Sequence, residues 1–170
     1  LYDRFKTFTM RRLSPDGAKT LITNLFTRCR QNSIASADSN YKLPDGTEFK
    51  GTLMKELGNW YAGTLGDKEN NVPGTRKMMD IIQSIATNGL NPQKLEPLMT
   101  SLMSTMLLKI NNDSSPTEGA ETVKRVMVDL CGAFEKTVST ANDKNPERVK
   151  KAVKAIQDIT ARFLDGVVQA

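Results

Sequence analysis

The stretch NPERVKKAVKAIQDITARFLDGVV, residues 145–168, decides the fold class. Asn145 offers a side-chain acceptor to the orphan amides of a first helical turn, and Pro146 stands where a missing N–H costs nothing. From there apolar residues return at Val149, Ala152, Val153, Ile156, Ile159, Phe163, Leu164 and Val167, the three-and-four spacing of a helix with one buried face. Lys150, Lys151 and Lys154 flank that stripe. Such a face needs other helices to cover it.

The same start signal recurs at Ser14-Pro15, Asn91-Pro92 and Ser115-Pro116, where Glu118 completes a capping box with Ser115. After Ser14 the stripe is Ala18, Leu21, Ile22, Leu25, Phe26 and Cys29; after Ser115 it is Val123, Val126, Met127, Leu130, Cys131, Phe134 and Val138. After Asn91 the apolar arc is broad (Leu95, Leu98, Met99, Leu102, Met103, Met106, Leu107, Ile110), which predicts a central helix. Pro97 in its second turn predicts a bend there or a start delayed to Glu96. Two shorter helices are expected from Thr52 to about Leu65 and from Thr75 to Asn88, the second stopped by Gly89. Leu43-Pro44-Asp45-Gly46-Thr47 reads as a type I turn, so a short β-hairpin near residues 41–49 is an option. The expected fold is all-α, a single orthogonal or up-down bundle of about six helices. The 170 residues form one domain in this reading: 1–50 an N-terminal helical segment plus loop, 52–170 the main bundle.

A chain of 170 residues with 38% hydrophobic and 25% charged content can bury roughly two-thirds of its unfolded surface, enough for a self-sufficient core. The longest apolar run, Leu98 to Ile110, is shorter than the roughly 20 residues of a membrane span and is interrupted by polar residues, so no membrane span is expected. The first residue is Leu1 rather than Met, which implies a processed or excised chain and leaves the compartment open. Cys29 and Cys131 both fall on apolar stripes, which favours buried thiols; in a secreted protein a Cys29–Cys131 disulfide becomes the competing reading.

The sequence contains no histidine, which removes the commonest general base and zinc ligand and every Ser-His or Cys-His nucleophile arrangement. Neither glycine-rich phosphate signature is present, and Asp67-Lys68-Glu69-Asn70-Asn71 lacks the ligand spacing of an EF-hand loop. Asn112 opens a glycosylation sequon, informative only in a secreted protein. Glu118 with Glu121, and Asp158 with Asp165, have helical spacing and read as solvated surface. No residue is assigned to catalysis, to a cofactor or to a metal, and the expected protein is not an enzyme.

Two features are suited to binding. The net charge of +5 is concentrated in two patches, one around Lys6, Arg11 and Arg12 and one at Lys150, Lys151 and Lys154. Arg11, Arg12, Lys150, Lys151 and Lys154 are the candidate anion-binding residues, for nucleic acid or an anionic surface, although no aromatic residue interleaves with them for base stacking. The second feature is the methionine load, with Met78, Met79, Met99, Met103 and Met106 in two consecutive helices. Methionine suits both adaptable cores and adaptable contacts. Met79 and Leu108 fall off their stripes and are the candidate partner surface.

Lys94-Leu95, Leu98, Ser104 and Met106 in one helix, Leu130, Ala133-Phe134 and Thr137 in the next, and Asn145-Pro146 opening the last resemble the N-terminal domains of spider silk proteins over roughly residues 75–167. The resemblance implies a small methionine-rich five-helix bundle, secreted, that dimerises through charged, pH-sensitive helix surfaces. The segment up to about Gly51 and the basic charge depart from that family, and its acidic dimer residues have no placed counterpart here. The leading expectation is a non-enzymatic module acting by protein–protein contact, most simply self-association as a structural subunit. Two alternatives stand beside it: a basic, intracellular nucleic-acid-packaging protein, and a carrier of apolar ligands in a methionine-lined interior.

Overall fold

The computed structural model describes residues 17, 20, 21, 24, 41–49, 53–67, 75–110, 116–138 and 145–169. The described part is mostly helical. A pair of two-residue strands, β1 (Tyr41–Lys42) and β2 (Glu48–Phe49), precedes five helices: α1 (Leu53–Asp67), α2 (Thr75–Asn88), α3 (Pro92–Ile110), α4 (Pro116–Thr137) and α5 (Asn145–Gln169). Gly17, Thr20, Leu21 and Asn24 are also helical, and Leu21 packs against the core; the rest of the helix expected after Ser14 lies outside the described residues.

The apolar stripes meet as their periodicity requires. α5 packs on both α4 and α3, α4 on α1, and α3 on α2. Leu95, Met99, Leu102, Met103 and Met106 of α3 are fully buried, as are Leu130 and Phe134 of α4 and Ala152 and Ile156 of α5. One continuous cluster of buried side chains joins all five helices and the hairpin. The broad apolar arc of α3 is therefore spent on α2, α4 and α5, and among its described side chains Leu108, off that arc, is the large apolar one left exposed, at 73%.

Of the two outcomes expected from Pro97, a bend or a delayed start, the delayed start does not occur. The helix begins at Pro92 and runs through Pro97. Asn91 makes this work: its Oδ1 accepts from the Gln93 amide at 3.0 Å, while its carbonyl accepts from Lys94 and Leu95. With the first turn held, the missing donor at Pro97 costs one bond on an exposed edge. The C-terminus of α2 ends as Asn88-Gly89 implied, with Gly89 at φ 73° and its amide donating to the Ile85 carbonyl.

The hairpin is short but firmly seated. Tyr41 pairs with Phe49 and Lys42 with Glu48, and the Leu43–Thr47 turn closes with Gly46 at φ 90°. Two residues a side would not hold a hairpin in water. Here Leu43 and Phe49 are buried in the helical core, and Phe49 also bridges to Val138 at the end of α4.

Candidate functional site

Three surfaces follow from the sequence. The first is the off-stripe pair. Met79 is 36% exposed on α2 and Leu108 73% exposed on α3, so both reach solvent. A third exposed large apolar residue, Val128 on α4 at 57%, has the same origin. It stands two positions after Val126 and two before Leu130, out of step with the α4 stripe. Applying the off-stripe test to α4 would have found it.

Val128 is also the best placed of the three, because it lines two grooves. One, of about 380 Å³, lies between α4 and α5, with Met127, Val128, Cys131, Ala161 and Leu164 supplying an apolar floor. The other, of about 410 Å³, lies between α1 and α4 and is more polar, lined by Glu56, Asn59, Arg125, Asp129 and Lys136. The wall of this second groove is fixed by Trp60, whose Nε1 donates to the Val126 carbonyl across the α1–α4 contact at 3.1 Å.

The second surface is the basic patch on α5. Lys150, Lys151 and Lys154 are all exposed, and Lys150 makes a loose, solvated ion pair with Glu147 at 4.0 Å. Such a pair adds little to stability. Arg148 belongs elsewhere: its guanidinium donates to the Asp45 carbonyl in the hairpin turn. Arg11 and Arg12 lie outside the described residues, so the two basic patches are not brought into relation.

The third is the cysteine pair. Cys131 carries a free, buried thiol, and Cys29 lies outside the described residues. Burial pushes the Cys131 thiol up to about 11, assisted by the negative charge of Glu135. The thiol is held neutral and is a poor nucleophile. Above pH 9, the unperturbed value, an unfolded chain loses this proton while the folded chain keeps it until about 11. Folded stability therefore falls across that window by at most roughly 3 kcal/mol and levels off above it. Urea unfolding of the wild type and of Cys131→Ala between pH 8 and 11 is expected to show the steeper decline in the wild type. Parallel declines would refute the assignment.

The methionines expected either to fill the core or to face partners divide clearly. Met78, Met99, Met103, Met106 and Met127 are buried, and Met79 alone of those five described on α2 and α3 is exposed. Gly58 is buried within α1 and Gly63 is exposed on it, consistent with a helix that runs past both. Among the described residues no group of three or more His, Cys, Asp or Glu side chains is arranged to hold a metal ion. No described helix is long and apolar enough to cross a membrane. No protein-family model, curated protein or solved structure matches the chain.

Proposed function

We propose that the chain is a non-enzymatic helical module, a bundle of six helices counting the one after Ser14, that works by protein–protein contact and most simply by self-association as a structural subunit. The observation that carries this reading is Val128, a large apolar side chain left exposed at the shared edge of two grooves on α4. With the apolar floor of the α4–α5 groove on one side and the more polar α1–α4 groove on the other, Val128 joins an apolar centre to a polar rim, the layout of a contact site. The resemblance to spider silk N-terminal domains points the same way and would place the protein outside the cell. Sedimentation velocity over a wide concentration range, at several pH values, is expected to reveal a concentration-dependent oligomer. A strict monomer under every condition, with no partner captured, would sink the proposal.

A second reading is favoured by the Lys150, Lys151 and Lys154 cluster, exposed along little more than one turn of α5. A nucleic acid or anionic lipid surface would be neutralised there, with affinity falling steeply as salt rises. Binding to generic RNA or DNA at low salt, weakened by Lys150→Glu with Lys151→Glu, is the expected result on that reading. No binding at low salt removes it.

A further inference from the structure

On α4, Glu118, Thr122, Arg125, Asp129, Gly132 and Lys136 recur at alternating spacings of four and three, the seam of a heptad. All six are exposed or half-buried, so this seam lies along the outside of the helix while the apolar stripe faces in. The seam spans about 27 Å at the helical rise. Its order is symmetric about Met127: Glu118 and Lys136 are equidistant from it, as are Thr122 and Gly132, and Arg125 and Asp129.

We infer that α4 docks on α4 of a second copy, antiparallel, across a two-fold axis at the level of Met127. This deepens, and rests on, the self-association reading. Antiparallel pairing in this register sets Glu118 against Lys136 of the partner twice over. It gathers two Arg125 and two Asp129 side chains into a ring of alternating charge at the axis, and lays Thr122 over Gly132. Every facing pair is complementary, as an isologous contact demands. A parallel pairing would set Glu118 on Glu118 and Lys136 on Lys136, so the charges also choose the direction.

The shape agrees with the charge. A Cβ built on Gly132 would meet nothing within 4 Å, and the same holds for Gly63 on the α1 side. The groove of about 410 Å³ runs beside Arg125, Asp129, Gly132 and Lys136, giving the partner helix room to settle. Val128 borders the seam and supplies the apolar contact that ion pairs alone lack. Glu118 and Arg125 already have partners within their own chain, so the pairing across the axis adds contacts to groups that are partly ordered beforehand. Contacts of this solvated kind are weak one at a time and screened by salt, so the dimer is expected to loosen as salt rises.

Charge exchange in the 170-residue chain, followed by sedimentation velocity, tests this. Glu118→Lys and Lys136→Glu, each placing two like-charge contacts across the axis, are expected to weaken association about tenfold or more at low salt. The double variant Glu118→Lys/Lys136→Glu is expected to return within about threefold of the wild type. The pair Arg125→Asp and Asp129→Arg repeats the test away from the first turn of α4, and circular dichroism reports whether each variant is folded. Unchanged association in the folded single variants, or no recovery in either double variant, overturns the α4 seam. If those variants still self-associate, the broader proposal survives without this surface; a wild type that is monomeric throughout removes both.

Discussion

Phe49→Ala is expected to lower the unfolding free energy by about 4 kcal/mol, a large part of the stability of a domain this size. Phe49 is completely buried, so its loss removes transfer energy and leaves a cavity among rigid helix side chains. A two-residue strand has little to hold it except this ring and Leu43. The Phe49–Val138 bridge and the Glu48–Asn145 bonds are main-chain contacts of the same strand, and they loosen when the ring no longer anchors it. Urea titration should show a lower midpoint, and amide exchange should accelerate through residues 41–49 before it does in α3. A loss below about 1 kcal/mol would mean that the site collapses without cost and that the hairpin is an ornament on the core.

Helix type and helix starts were legible in the chain because they are local. Asn91-Pro92 with its stripe gave α3, and Asn88-Gly89 gave the end of α2, from contacts no more than four residues apart. The turn residues of the hairpin were legible for the same reason, through the positive φ at Gly46. What the hairpin does was not legible, because its partners lie between 45 and 103 residues away. Asn145 reads as a helix cap, yet its side chain also grips the main chain of Glu48: Oδ1 accepts from the Glu48 amide at 2.5 Å and Nδ2 donates to the Glu48 carbonyl at 2.6 Å. A side-chain amide matches a peptide group, so Asn145 bonds the Glu48 main chain as a residue of a neighbouring strand would. Of the surface, the exposure of Met79 and Leu108 was legible from periodicity. The α4 seam was not, because its residues look like ordinary solvated surface until they are ordered about Met127.

Asp45→Ala is the second large effect, expected to cost about 3 kcal/mol because one carboxylate serves two distant segments. Its Oδ1 accepts from the Thr47 amide at 2.9 Å and the Thr47 hydroxyl at 2.7 Å, fixing the turn. Its Oδ2 accepts from the Leu90 amide at 2.9 Å, which ties the turn to the corner between α2 and α3. Thr47 and Leu90 are both buried, so truncation strands donors that water cannot easily reach. Gly89 completes the contact: an added Cβ would collide with the Asp45 carboxylate, at a φ of 73° that side chains already disfavour. Gly89→Ala should therefore push Asp45 off Leu90 as well as strain its own backbone. In a double-mutant cycle the two substitutions are expected to cost less together than the sum of the singles, by more than about 1 kcal/mol, since each removes the same contact. Strict additivity would show that the strain at Gly89 and the bonds of Asp45 are separate, and that the hairpin turn does not clasp the α2–α3 corner.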